Sequence, residues 1–276
     1  MSVNVVNFYL APDPVHVKVV KALYDGCPEK KVLRSVEDYE PSDIAVVFGV
    51  YKSRVQASHA RGRIISQQRQ KKCDVIVLET GYINRGDGDN HHYAAGFNGL
   101  NGRADFKNHG MPADRSEKLG VRLKPWKEAG EHVLLCGQIP WDASVDHVNI
   151  QQWLLDAVNL IRGRTTREII FRPHPLTRVP ALGGTRYSTR PLVDDLAKAH
   201  CCVTFNSNSA VEAAIAGVPV IAYDEGSMAY TIAGHDWRDV EDPPKPDRKQ
   251  WLYDLCYTQW TLDEMREGLA WRPLFR

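Results

Sequence analysis

The sequence predicts an α/β protein: two wound parallel sheets facing a cleft, with helices from the C-terminus packing back over the first. Three observations carry that expectation. Apolar runs of strand length alternate with stretches of helical spacing from the N-terminus onward. The alternation stops in a long segment dense in Gly, Asn, Asp and His, and restarts at His132. Near the end, Cys202 to Tyr223 reads as strand, small polar turn, short helix, glycine stop and strand.

Val3–Leu10 is apolar and suits a buried parallel strand; Asp13–Tyr24 repeats Val15, Val19, Val20 and Leu23 at helical spacing. Val32–Val36 and Ile44–Val50 predict two more strands, Ser53–Gln70 a polar helix, and Asp74–Glu79 another buried strand. Thr80 to Pro125 shows neither period. Irregular segments of that length inside compact proteins usually carry function. In the second half, His132–Cys136, Glu168–Arg172, Cys201–Phe205 and Val218–Tyr223 predict strands. Asn149–Ile161 is an amphipathic helix, Pro191–Ala199 a second one, and Lys249–Trp271 a helical tail carrying Trp251, Trp260 and Trp271. The expected domains are residues 1–130 and 131–276.

The bulk composition excludes disorder: 43% of the 276 residues are apolar and 25% charged. No run approaches the length that spans a bilayer, and the chain enters its first strand without a basic leader. Six scattered cysteines show neither disulfide nor zinc spacing. The expectation is a cytoplasmic, reduced protein with no membrane partner. Through Gly130 there are 20 Lys and Arg against 15 Asp and Glu; beyond it the balance is 15 against 19. A basic first half suits a polyanion such as nucleic acid, or simply solvated faces.

The stretch after Cys202 builds an anion pocket. A buried strand delivers Asn206, Ser207, Asn208 and Ser209 to a helix start, where free N–H groups and the positive helix end attract a phosphate. Gly217 ends that helix and Pro219 opens the next strand. One βα unit earlier lies the turn Arg172-Pro173-His174-Pro175. Good N-caps alone would explain one or two such residues, whereas four stand in a row.

Arg172-Pro173-His174-Pro175, followed by Asn206–Ser209 and Gly217-Val218-Pro219-Val220, resembles the donor half of GT-B glycosyltransferases, notably the capsule-type sugar transferases. Leu78–Tyr82, Gly96–Gly102, Leu135–Asp142 and Gln259–Thr261 resemble small phage-encoded members that glycosylate modified DNA bases. The resemblance covers nearly the whole chain. It implies two Rossmann-type domains, a nucleotide-sugar donor (UDP-glucose first among them), and hydroxymethylated pyrimidine in double-stranded DNA as acceptor. A polysaccharide or lipid acceptor, and a non-catalytic nucleotide- or nucleic-acid-binding module, are the alternatives.

Roles follow from that chemistry. Ser207, Asn208 and Ser209 with their amides, and Arg172 with its planar fork, would hold a leaving diphosphate. Gly137 and Gln138 end a strand where backbone approaches a phosphate. His174 would meet a phosphate or the base, and Glu212 the ribose hydroxyls, or else would face solvent. Asp142 is expected to cap its loop. In Asp224-Glu225-Gly226 a plain turn is expected over a sugar contact. An inverting reaction needs a carboxylate base from the first half: Glu79 first, then Asp105, then Asp13, which could be only a helix cap. Arg61, Arg63, Arg69, Lys71 and Lys72 would hold a DNA backbone, or form a solvated helix face. Tyr93 and Phe97, four apart, would stack on a flipped base or sit in the core. His91-His92 lacks zinc spacing and Asp87-Gly88-Asp89 sits inside a loop, so no obligatory metal is expected.

Overall fold

The computed structural model describes residues 5–50, 60–85, 91–177 and 179–275. Val3, residues 53–59 of the expected polar helix, and Asp87-Gly88-Asp89 lie outside them. The chain forms two compact units: Met1–Arg115 with Tyr253–Arg276, and Ser116–Leu252. The sequence placed one boundary at 130, fifteen residues later than this division. It also left the C-terminal tail with the second half.

In the first unit, β1 (Val6–Leu10), β2 (Lys31–Ser35), β3 (Ile44–Phe48), β4 (Asp74–Thr80), β5 (Tyr93–Phe97) and β11 (Gln259–Trp260) form a six-stranded sheet, ordered β11-β5-β4-β3-β1-β2. The first four are mutually parallel, while β5 pairs antiparallel with β4 and β11 antiparallel with β5. A wholly parallel sheet was expected; the sheet is mixed. β5 escaped notice because Tyr-Ala-Ala-Gly-Phe carries small residues rather than a branched apolar run.

Helix α1 (Pro14–Asp25) starts from Asp13, whose carboxylate accepts the Val15 and His16 N–H groups, and buries Val19, Val20 and Leu23. Against that face pack α8 (Leu262–Arg266) and α9 (Trp271–Leu274), placing Trp260, Met265 and Trp271 in one core with Phe8 and Ile76. The Trp271 indole donates to Leu23 O at 3.0 Å. Helix α2 (Ala60–Gln70) covers the opposite face with Ile64 and Ile65.

In the second unit, β6 (His132–Cys136), β7 (Glu168–Arg172), β8 (Arg186–Tyr187), β9 (Ala199–Thr204) and β10 (Val220–Ala222) are all parallel, ordered β10-β9-β6-β7-β8. Helix α4 (Ile150–Arg162) buries Ile150, Trp153, Leu154, Ala157, Val158 and Ile161, the spacing of one helical stripe. Cys201 and Cys202 belong to cores on opposite sheet faces, as the period-two alternation of a strand requires. Helix α6 (Ser209–Ile215) stops at Gly217, where φ is +80° and a Cβ would collide with Pro125 O. Among the described residues no helix is long and apolar enough to cross a membrane.

Candidate functional site

Because β6, β7, β9 and β10 are parallel, their carboxyl ends open on one edge of the second sheet. Gly137-Gln138, Arg172–His174, Asn206–Ser209 and Asp224 all begin there. Gly137 carries no side chain where the Phe171 ring would lie 3.2 Å from a Cβ. The amide of Gln138 is buried against Asn206: Oε1 accepts the Asn206 N–H at 2.9 Å and Nε2 donates to Asn206 Oδ1 at 2.5 Å. Asn206 Nδ2 then donates to Asp224 Oδ1 at 2.7 Å and to Ser144 O at 2.9 Å. Gly226 N–H adds 2.9 Å to the same carboxylate oxygen, and Asp224 Oδ2 lies 3.4 Å from His147 Nε2. Gln138 and Asn206 therefore spend their amides on each other and on a carboxylate. The functional group this network offers is Asp224. Its strand-end position was visible in the sequence, but its partners were not; His147 carried no signal at all.

Arg172 is anchored through Nη1, which lies 3.0 Å from Asp195 Oδ2 and also donates to Arg190 O. Asp195 is fully buried and accepts the Ser188 hydroxyl at 2.6 Å on the same oxygen. His174 Nδ1 accepts the Leu176 N–H at 3.2 Å, so the neutral ring carries its proton on Nε2. Asp142 caps its loop as expected, accepting the Ser144 N–H at 2.8 Å.

The polar turn before α6 is less open than its sequence suggested. Ser207 N–H donates to Thr204 Oγ1 at 3.1 Å, and Ser207 Oγ accepts the Ser209 N–H at 3.3 Å. Ser209 is buried with its hydroxyl beside the Cys136 and Cys202 thiols, turned into the sheet. Asn208 has helical backbone angles and makes no side-chain cap. Glu212 is exposed on α6.

The first sheet gathers a second group at the carboxyl ends of β1, β3 and β4. Asp13 Oδ1 accepts the Val15 N–H at 2.9 Å and the His16 N–H at 3.1 Å; the His16 bond above all holds its carboxyl below the usual range. The His16 ring stacks on Phe48 with centroids 4.2 Å apart and planes 19° from parallel. Arg61 Nη1 donates to Phe48 O at 2.7 Å, and its half-buried charge faces Glu79 and Asp13. Glu79 Oε1 accepts the Thr80 N–H at 2.8 Å. Tyr93 meets Phe48 edge-on at 6.2 Å, with His91 4.7 Å beyond it. Asp13, Glu79, Arg61 and Tyr93 thus share one end of the sheet, joined by His16, which the sequence did not single out.

Asp105, Phe97 and Arg69 lie at the other end. Strand β5 runs antiparallel, so Phe97 sits opposite Ile76 near the start of β4 and bridges to Asp105. Phe97 is buried in the core rather than exposed for stacking. Burial works against the Asp105 carboxylate, but hydrogen bonds and charge from Lys107 leave its pKa below the usual value. Arg69 Nη2 donates to Asn98 O at 3.1 Å, and Arg63 pairs with Glu37 at 2.5 Å. Lys71 and Lys72 are exposed beyond the end of α2. The basic residues read from the sequence do not form one surface. Among the described residues no three His, Cys, Asp or Glu side chains are grouped to hold a metal.

No family model matches the chain, and no curated protein matches it. Among solved structures it is similar to a β-Kdo 2,4 transferase, KpsC of Thermosulfurimonas dismutans, at 15% identity, covering 94% of this chain and 92% of that one with a TM-score of 0.61. It is also similar to the β-Kdo 2,7 transferase of KpsC from the same organism, at 13% identity, 97% and 98% coverage and a TM-score of 0.54. At such identities the likeness establishes the fold: two Rossmann-like α/β domains of GT-B type, one sheet mixed and one parallel.

Proposed function

We propose that this chain is a nucleotide-sugar-dependent glycosyltransferase, with the donor held by the second unit and the acceptor by the first. The observation that carries this reading is the Asp224 carboxylate. It is locked by Asn206 and Gln138 at the same sheet edge as an anchored arginine and a proton-donating histidine. Fold alone does not assign chemistry, so the argument rests on these groups.

Arg172, held through Nη1, offers Nε and Nη2 to diphosphate oxygens, and His174 Nε2–H adds a donor. Ser207 and Asn208 line the same turn with backbone. As the bond to the anomeric carbon breaks, negative charge grows on the leaving diphosphate, and fixed donors stabilise it without reorganising. Asp224 would accept from hydroxyls of the donor sugar, with Glu212 nearest the ribose. The acceptor would lie by Asp13, His16, Glu79 and Tyr93.

The finer reading is transfer of glucose from UDP-glucose to hydroxymethylated pyrimidine in DNA. It rests on the sequence resemblance of Leu78–Tyr82, Gly96–Gly102 and Leu135–Asp142. Arg61 turns inward, Arg63 is paired and Arg69 lies at the opposite sheet end, so the arginines lend it no support. A saccharide acceptor is therefore the second arm of the test. The protein is incubated with a panel of nucleotide sugars and with hydroxymethylated DNA, plain DNA or oligosaccharides. Mass analysis of the nucleosides is expected to show one added hexose on the hydroxymethylated base alone. Transfer to oligosaccharide only would remove the DNA acceptor, and no transfer with any pair would remove the transferase reading.

A further inference from the structure

We propose that Tyr223 and Asp224 choose the sugar that is transferred, admitting an uncharged pyranose and excluding one that bears a carboxylate. The proposal deepens the transferase reading above, on which it rests, by naming a substrate class. Every group it uses belongs to the second unit. Tyr223 follows β10 directly and extends its ladder, donating its N–H to Thr204 O at 3.1 Å. Asp224 continues it, with its N–H on Phe205 O at 3.0 Å.

Three rings pack against Tyr223. Trp237 stacks on it with centroids 5.6 Å apart and planes 25° from parallel, while Phe205 and Trp153 of α4 each lie 6.0 Å away. Trp153 and Phe205 are buried, whereas Tyr223 keeps 47% of its surface exposed. This aromatic group thus ends in one open ring, held by its neighbours, with little side-chain freedom left to lose on binding. His147 connects the rings to the carboxylate: its ring lies 5.7 Å from Phe205, and Nε2 stands 3.4 Å from Asp224 Oδ2. Asn206 Nδ2 and the Gly226 N–H fix Oδ1, which turns Oδ2 toward His147. An open aromatic ring beside an oriented carboxylate suits a pyranose, which presents apolar C–H faces and a rim of hydroxyl donors.

Charge decides which pyranose. Within two residues of these rings along the chain stand Asp146, Asp224, Glu225, Asp236 and Asp239, against one guanidinium, Arg238. Arg238 is itself paired, its Nε 2.7 Å from Asp236 Oδ2. A sugar carboxylate brought to Asp224 meets like charge there, and a neutral ring does not. The same acidity tells against a phosphate as the group that lies on Tyr223. Arg172, the cation for the diphosphate, stands on β7, with β9 and β6 between it and β10.

The test is calorimetry of the full chain with UDP, UDP-glucose and UDP-glucuronate, two donors that differ only at C6. GDP, GDP-mannose, GDP-mannuronate and a CMP-linked sugar acid complete the panel. The neutral donor of a pair is expected to bind at least about 10-fold more tightly than its uronate. Tyr223→Ala is expected to weaken that neutral donor by about 5-fold, the loss of one open aromatic contact. The bare nucleoside diphosphate should keep its affinity in this variant, which also shows that the second unit stays folded. Tyr223→Phe keeps the ring and should bind the neutral donor within about 2-fold of the parent chain. Asp224→Asn removes the charge and should narrow the gap between neutral donor and uronate. Equal affinity for both members of a pair, or tightest binding of the CMP-linked acid, overturns the proposal and leaves the transferase reading standing. So does a Tyr223→Ala variant that loses nucleotide and nucleotide sugar alike, which assigns the ring to the nucleobase or to the fold. No binding of any nucleotide or nucleotide sugar overturns both.

Discussion

At the residue scale, one carboxylate oxygen of the fully buried Asp195 gathers both Arg172 and the Ser188 hydroxyl. Asp195→Ala leaves the guanidinium without its counter-charge. Breaking a fully buried pair costs roughly 3–5 kcal/mol, and Arg172 keeps some solvent, so a loss of about 2 kcal/mol is expected in urea unfolding. Donor affinity should fall with it, because the fork then keeps its bond to Arg190 O but loses the charged partner that fixes it. Ser207 acts through its own hydroxyl, which holds the Ser209 N–H. Ser207→Ala is expected to weaken UDP binding by about 5-fold, near 1 kcal/mol for one lost hydrogen bond, as read by calorimetry. Asp105→Asn should leave turnover within about 2-fold, since its partner is Lys107 at the far end of the sheet. A large loss in that variant would return Asp105 to the reaction.

At the element scale, α6 is a seven-residue helix whose exit depends on one glycine. Gly217→Ala forces a side chain into a left-handed backbone and onto Pro125 O; about 3 kcal/mol of destabilisation is expected in chemical unfolding. The helices α8 and α9 complete the first unit's core. Trp271→Ala should cost about 3–5 kcal/mol, because the buried indole also satisfies Leu23 O. Most strands and the helices α1, α2 and α4 were legible, since apolar runs and helical stripes recur with fixed periods. Strands β5 and β11 were not. Their pairing is long-range, β11 with β5 and β5 with β4, and Gln259 and Trp260 carry no period of their own. Gln259 opens one of the stretches that carry the resemblance, and its amide is structural, Oε1 accepting the Tyr82 and Ile83 N–H groups at 2.7 and 2.9 Å.

At the scale of the whole molecule, buried histidines set an acid limit. Burial is the main cause holding His132 and His200 below the ordinary pKa of 6.5. His16 behaves likewise. Unfolded, these rings bind protons near pH 6.5; folded, they bind them only at lower pH. The unfolded chain therefore gains protons first, and stability falls as pH drops below about 6.5 until the folded values are passed. Melting temperature should be insensitive to these groups above pH 7 and decline through pH 6 and 5. His132→Gln is expected to flatten part of that slope. An unchanged slope in the variant would remove His132 as a contributor.

The alternation of strand and helix, the apolar faces that hold each sheet, and the polar turn after β9 are local patterns, so the amino-acid order alone determined them. It also placed Gln138, Arg172 and Asn206 at strand ends, because parallel strands send their carboxyl ends to one edge. Only the folded chain decided which polar groups find each other. Asn206 reaching Asp224, Asp195 seizing Arg172, and Ser209 turning inward are contacts between distant segments that no spacing encodes. The same holds in the first sheet: the reversed direction of β5 carries Asp105 away from Glu79, while His16 comes to stack on Phe48. Strand direction and side-chain pairing are decided by which arrangement buries the most apolar surface while leaving the fewest buried polar groups unpaired, and that is a property of the whole packed chain.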